Sequence, residues 1–282
     1  MKDLHKACEK GYIKVVEHLI KYGDIDKKNN TGKTPLFHAC LFGKYDVVKL
    51  LLDNNADIHV KDIHHSTCLH YVCYNGNYNI AKLLLDHGAV IDTKNSIGFT
   101  PFLCACYARK YDAAKLLHEY GANIGDCDKN GESALYYACS SIGSYQIAKF
   151  LLKNGASINK QTVYGFSPLH EACASVYNKY NIVELLLKNG ANVNLEDNKK
   201  HNPLHYACVH LGKYDIVKLL FEYDVNINKK NIMGKTPIMY AQGFKNSPIV
   251  DLIRKEIKKR IYILSLIINS DIMKHYIMKK ID

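Results

Sequence analysis

Thr34-Pro35-Leu36 returns down the chain as Thr67-Cys68-Leu69, Thr100-Pro101-Phe102, Ser133-Ala134-Leu135, Ser167-Pro168-Leu169, Asn202-Pro203-Leu204 and Thr236-Pro237-Ile238, at intervals of 33, 33, 33, 34, 35 and 34 residues. A period near 33 describes stacked supersecondary units, each burying its apolar face on its neighbours, rather than one globule folded around a cleft. The Thr or Ser side chain caps free backbone N–H groups, and proline at the first helical position forfeits no hydrogen bond. Five of the six prolines (Pro35, Pro101, Pro168, Pro203 and Pro237) hold this position, and Pro248 follows Ser247 in the same way. Proline therefore starts helices here and marks no linker.

Working outward, each landmark opens a short helix such as Pro35 to Phe42, followed by a turn that glycine often marks (Gly11, Gly43, Gly76, Gly143, Gly212). The second helix carries doubled apolar positions, as in Val47-Val48-Lys49-Leu50-Leu51-Leu52, too apolar for a helix with one buried stripe and suited to one sandwiched between neighbours. Its stop is expected at Gly23, Gly88, Gly121, Gly155 and Gly190, with Asn55 and Asp224 as costlier left-handed caps. A polar connector ending in a turn glycine (Gly98, Gly131, Gly165, Gly234) leads to the next landmark; His65 and Lys200 replace that glycine, so those two hairpins are expected to be distorted.

Helix, turn, helix and projecting hairpin in about 33 residues resembles the ankyrin repeat. The family pattern Thr-Pro-Leu-His-x-Ala is nearly intact at Ser167 to Ala172 and at Asn202 to Ala207. The resemblance implies an all-α repeat solenoid of about eight units over residues 1–260, the first and last acting as caps, with a helical tail over 261–282. It also implies a non-enzymatic scaffold that binds a protein partner on a concave face formed by hairpin tips and first-helix ends.

Composition narrows the alternatives. Seven of the ten cysteines (Cys8, Cys40, Cys73, Cys106, Cys139, Cys173, Cys208) take one equivalent position per repeat. Packed helices lie on the order of 10 Å apart, beyond disulfide reach, so these thiols read as small buried hydrophobes in a reducing compartment. The charged start Met1-Lys2-Asp3 has no signal-peptide character, and the longest apolar run, Ile261 to Ile268, is too short to span a bilayer. A cytoplasmic protein is expected, with no membrane partner. Of the net charge of +11, residues 243–282 hold nine Lys/Arg against four Asp/Glu, leaving a weak electrostatic footprint over the repeats. Six of the 21 tyrosines (Tyr45, Tyr78, Tyr111, Tyr145, Tyr180, Tyr214) open second helices, which assigns them to packing rather than base stacking and removes most support for a nucleic-acid partner. No phosphate-binding glycine loop is present.

His64-His65-Ser66-Thr67-Cys68-Leu69-His70-Tyr71-Val72-Cys73 suggests zinc by composition alone, but His70 and Cys73 are the repeat's usual residues. No metal or other cofactor is expected. Cys-His nucleophilic chemistry fails for the same reason, since a position repeated in every unit is structural. Cys104 and Cys127 lie outside the buried cysteine register and are the candidates for reactive surface thiols, a reading set below the inert one.

In the tail, Arg254 to Arg260 carries five basic residues in seven, a weak nuclear-import signal that keeps the nucleus open as a location and is set below a solvated helix face. Ile261, Leu264 and Ile268 fall at helical spacing; Asn269-Ser270-Asp271 is expected to break or cap, before a second stripe of Ile272, Met273, Tyr276, Ile277 and Ile281. The tail reads as a helical cap on the last repeat, or alternatively as an adaptor segment recruiting ubiquitin-ligase or other machinery to a client held by the repeats. Carried over by register, the concave face holds Ile63, His64, Ile97, Phe99, Val163, Tyr164, Phe166, Ile232 and Met233 at hairpin tips, with Leu41, Phe42, Tyr74 and Tyr107 at helix ends. Tips should be polar, so apolar and aromatic residues there are free to read an as yet unidentified protein partner. Nothing in the pattern calls for an obligate oligomer or a small-molecule substrate.

Overall fold

The computed structural model describes residues 3–140, 143–177, 179–210 and 212–278, with side chains described as far as residue 266. Among the described residues are sixteen helices and no strand, apart from one isolated bridge between Cys127 and Ser133. The chain divides into two compact units, residues 1–163 and 164–282. In the first, α1 (Leu4–Lys10), α3 (Pro35–Leu41), α5 (Cys68–Asn75), α7 (Pro101–Tyr107) and α9 (Ala134–Cys139) pack one on the next. The second helices α2 (Ile13–Leu19), α4 (Tyr45–Asp53), α6 (Tyr78–Asp86) and α8 (Tyr111–Glu119) form a row beside them, and α10 (Tyr145–Lys153) packs on α9. In the second unit α11 (Pro168–Ala174), α13 (Pro203–Ala207) and α15 (Pro237–Gly243) form one row, and α12 (Tyr180–Lys188), α14 (Tyr214–Phe221) and α16 (Ser247–Met278) the other.

The landmark does what its chemistry dictates. The side chain of Thr100 accepts from the Leu103 N–H at 3.2 Å, and that of Ser133 accepts from Tyr136 at 3.2 Å, although alanine follows it in place of proline. Where the consensus histidine is present it adds a second clamp. His70, His170 and His205 each accept through Nδ1 from the N-cap backbone N–H at 3.1 to 3.2 Å. Their Nε2 atoms lie 3.0, 3.1 and 3.2 Å from the carbonyl oxygens of Phe99, His201 and Lys235 in the following hairpin. A carbonyl only accepts, so Nε2 carries the proton and the ring is neutral. Burial depresses all three rings below the ordinary histidine range, His205 to about 4.

The doubled apolar positions of the second helices face both ways, as expected of a sandwiched element: α4 buries Val47, Val48, Leu51 and Leu52, and α12 buries Ile182, Val183, Leu186 and Leu187. Each fully buried aliphatic side chain stabilises the fold by roughly 1.5 to 3 kcal/mol. The tyrosines that open these helices stand where the sequence placed them, but Tyr45, Tyr78, Tyr145 and Tyr214 remain 40 to 45% exposed, so packing accounts for only part of each ring.

Left-handed backbone closes most second helices, including at Asn55 (φ 61°) and Asp224 (φ 55°). Gly23 is an exception, outside that region, because α2 already ends before Ile20. His65 and Lys200 correct a second expectation. They adopt φ of 57° and 60° and close the same turn as the glycines, with N–H bonds of 2.9 Å to the carbonyls of Asp62 and Asp197. The carboxylates hold these hairpins in shape: Asp62 Oδ1 accepts from the N–H groups of His64 (2.9 Å) and Ser66 (3.0 Å), and Asp197 Oδ1 does the same for Lys199 and His201 at 2.8 Å. Consecutive tips are then stitched together, Ser96 N–H to His64 O at 2.9 Å and Lys129 N–H to Ile97 O at 3.1 Å.

That stitching leaves little room for a side chain at turn glycines such as Gly98. Gly98 has φ 87°, and a Cβ there would lie 2.8 Å from the Lys129 backbone nitrogen. Gly98→Ala is expected to cost about 1 to 3 kcal/mol in urea unfolding, from backbone strain with the clash added. Gly88→Ala, at a similar φ of 86° but with no atom within 4 Å of the added carbon, should cost less. Equal costs would show that the hairpin contact contributes nothing.

The tail continues the last helix, α16, without interruption as far as Met278. In α16, Ile249, Val250 and Ile253 are buried, and Arg260 donates to the carbonyls of Phe221 (3.4 Å), the last residue of α14, and Val225 (2.9 Å), just beyond it. From residue 261 to 266 the side chains turn to solvent, with Ile261, Tyr262, Leu264 and Leu266 each more than half exposed. The expected break at Asn269-Ser270-Asp271 does not occur, because no glycine or proline follows Pro248 and those three residues cost an interior helix only tenths of a kcal/mol each. The side chains of Ile268 and of the second stripe lie outside the described residues. No helix among the described residues is long and apolar enough to cross a membrane.

Candidate functional site

In the first unit the hairpins and the first helices α3, α5, α7 and α9 enclose an open groove of about 1010 Å³. Its rim is made by Tyr74 on α5, Tyr107 at the end of α7 and Ile97 on a hairpin tip, which are 49, 37 and 58% exposed. The rings interlock: Tyr74 stacks on Tyr107 at 6.4 Å between centroids, and Tyr107 meets Phe99 and Tyr137 edge-on at 5.8 and 5.3 Å. Leu41 and His64 complete the set of sequence-predicted residues that line it.

Among the lining residues that the sequence reading did not place on the concave face are Tyr71, Cys104 and Tyr137. All three occupy the unspecified x of Thr-Pro-Leu-His-x-Ala. A position that the repeat leaves free while its neighbours are constrained was the available signal. Their chemistry is distinctive. The Tyr71 hydroxyl donates to Asp62 Oδ2 at 2.6 Å, and the Tyr137 hydroxyl lies 2.9 Å from Asp128 Oδ2 and 2.6 Å from Glu132 Oε2. Burial, reinforced by those carboxylates, pushes both phenols far above the ordinary tyrosine range, so they stay protonated donors.

Apart from Phe99, the other expected residues do not join this groove. Phe99 belongs to it but is only 8% exposed, a correction to its placement among exposed tip residues: the chain turns its ring inward against Tyr107 and Tyr137. Phe42 is exposed, stacked on His38 at 6.4 Å, and Ile63 is exposed on its tip, as is Val163 at the end of the first unit. In the second unit Tyr164, Ile232 and Met233 are 62 to 71% exposed, whereas Phe166 is part-buried with its ring 5.0 Å from that of Tyr206.

The residues that suggested other chemistry have structural occupations. His70 is the clamp described above, Cys68 and Cys73 are buried, and His64 and His65 point outward on the tip. Among the described residues, no group of three or more His, Cys, Asp or Glu side chains could hold a metal ion. Cys104 is not a surface thiol: it is 7% exposed, and burial pushes it up to about 12, leaving no thiolate at neutral pH. Cys127 is half-buried, and burial raises it as well.

A family model for ankyrin repeats matches residues 3–62, 61–126, 122–197 and 169–262. Among solved structures, the chain is similar to the ankyrin-repeat domain of Bcl-3, described as a member of the IkappaB family, with a TM-score of 0.64, 29% identity, and 72% of this chain and 92% of that one covered. It is likewise similar to the human ASB11 ankyrin-repeat domain, with a TM-score of 0.66, 26% identity, and 74% and 92% covered. Over 55 residues it is 42% identical to mouse protein phosphatase 1 regulatory subunit 27, covering 19% of this chain and 36% of that protein. The matched stretch thus spans only about a third of that relative's length.

Proposed function

The chain belongs to the ankyrin-repeat family, and on that premise we propose that it is a non-enzymatic interaction module whose first unit holds a segment of a partner protein in the groove rimmed by Tyr74, Ile97 and Tyr107. The observation that carries this reading is an open, aromatic-walled groove whose rim residues are left one-third to more than one-half uncovered by the protein's own packing. Clustered aromatics on a preformed surface are the material of interface hot spots, and a rigid array loses little conformational entropy on binding. The name of the mouse relative, a phosphatase regulatory subunit, is in keeping with a role exerted through protein contact. In this reading the protein acts as a monomer in the cytoplasm or nucleus without a nucleic-acid partner, and residues 1–260 carry the binding function.

The test is affinity capture from native lysate with wild type, Tyr74→Ala/Tyr107→Ala, and Tyr22→Ala as an exposed control outside the groove. The double variant should lose its partner by at least about thirtyfold, the equivalent of one hot spot of about 2 kcal/mol, while melting like wild type. Equal retention by all three chains would overturn the groove assignment.

The adaptor reading is favoured by a separate observation, the uncovered side chains of Ile261, Tyr262, Leu264 and Leu266 on a helix that outruns its repeat. Under it, a chain ending at Arg260 would keep the groove partner and lose a second one.

A further inference from the structure

The first unit contains two copies of one arrangement, built on the groove-lining residues Tyr71 and Tyr137, and only one of them is electrically complete. At the first, the Tyr71 hydroxyl donates to Asp62, and Lys33 of the preceding repeat places its ammonium 4.7 Å above the Tyr71 ring and 4.0 Å from Asp62 Oδ2. At the second, Tyr137 faces Asp128 and Glu132, and the register position of Lys33 is filled by Phe99, whose uncharged ring lies 5.3 Å from that of Tyr137. The acid count has doubled, because Glu132 stands in the register of Ser66, while the cation has been lost. No Lys, Arg or His among the described residues makes an ion pair within 4.0 Å with either carboxylate; Lys129 lines the groove without pairing to them, and Lys94 pairs instead with Asp126 at 3.1 Å. Asp128 Oδ1 accepts from the N–H groups of Asn130 and Glu132 at 2.9 and 2.8 Å, while Asp128 Oδ2 and Glu132 Oε2 share a single phenolic hydrogen, which can donate fully to only one of them.

Resting on the groove reading above, we propose that the Asp128, Glu132 and Tyr137 end receives the side chain of an arginine or lysine from an extended partner segment, whose apolar neighbours lie against Tyr74, Phe99 and Tyr107. The protein's own Lys33 site is the template for the charge pairing, an ammonium beside a carboxylate that a tyrosine hydroxyl also contacts; at the second site the Tyr137 ring is 8% exposed and covered by Phe99 and Tyr107, so the part-exposed carboxylates of Asp128 and Glu132 supply the attraction. The occupant is a chain segment rather than a lone cation, because the groove runs past four successive first helices. At roughly 10 Å per helix that is about 30 Å, or about nine residues of extended chain.

The experiment is selection of a displayed library of random 12-residue peptides on the full-length protein, followed by titration of the enriched peptides against wild type, Glu132→Gln and Tyr107→Arg. Glutamine still accepts from Tyr137, so Glu132→Gln should melt as wild type does. The expected result is a shared Arg or Lys in the enriched peptides. Removing that residue, or using Glu132→Gln, should weaken binding on the order of tenfold, as for loss of a partly shielded charge partner. Added salt should weaken binding to wild type more than to Glu132→Gln. Peptides that lack a basic residue, or that ignore Glu132→Gln, while Tyr107→Arg still abolishes binding would overturn the cation site and leave the groove reading standing. Peptides indifferent to Tyr107→Arg, or no enrichment over that variant, would overturn both.

Discussion

Phe102→Ala is expected to destabilise the protein by about 3 to 5 kcal/mol, the range for deleting a fully enclosed aromatic ring. Phe102 is 0% exposed and sits where the other copies of the landmark carry leucine or isoleucine. Its helix, α7, packs against its repeat partner α8 and against α5 and α9 of the neighbouring repeats, so the cavity would open in a helix that serves both kinds of contact. In an array held by nearest-neighbour interfaces, such a lesion weakens both adjoining contacts, and the urea transition should broaden as well as shift. Phe102→Leu installs the residue the other repeats use and should cost no more than about 1.5 kcal/mol. A cost below about 1 kcal/mol for the alanine variant would show that the repeat junction is not the core of this unit.

Acid should destabilise the protein through its histidines before its carboxylates respond. His70, His170 and His205 are buried and neutral, with folded pKa values held below 6.5 by burial. The sign follows directly. Below pH 6.5 the unfolded chain binds protons that the native rings refuse, so stability is fully present above that pH and declines toward the folded values. For His205, whose folded value is about 4, the decline amounts to about 3 kcal/mol. Between pH 6.5 and 5 each such ring can contribute up to about 1.4 kcal/mol per pH unit, and His38 and His210, also depressed by burial, add to the slope. The check is urea unfolding at half-unit steps of pH, with His205→Gln alongside. A flat wild-type profile over that window, or an unchanged slope in the variant, would remove the neutral-clamp account.

Both expectations concern positions that the repeat made legible. The helix starts, the seven buried cysteines and the sandwiched second helices follow from periodicity because an identical local signal was printed several times over. The departures arise where a neighbour overrides the local signal. A histidine and a lysine take left-handed turns because Asp62 and Asp197 hold the hairpins around them. Phe99 turns inward because the rings of Tyr107 and Tyr137 stand ready to receive it. Cys104 is buried although no other repeat has a cysteine in its place.

The candidate site was half legible. Register alone brought Leu41, His64, Tyr74, Ile97, Phe99 and Tyr107 to one groove, but it scattered the remaining expected residues over other tips and over the second unit. Tyr71 and Tyr137 stayed hidden because the family pattern is silent at their position, and a silent position shows its use only when its neighbours in space are known. What the sequence by itself determined is the unit: its length, its caps, its core and the family to which the chain belongs, because these depend on contacts within a repeat or between identical repeats. What only the tertiary structure decided is the pairing of unlike residues from different repeats. Lys33 with Asp62 and Tyr71 makes a complete charge cluster, whereas Phe99 with Asp128, Glu132 and Tyr137 makes an incomplete one. The physical reason is that charge balance is set by distances of a few ångströms across repeats, and those distances exist only once the chain has stacked.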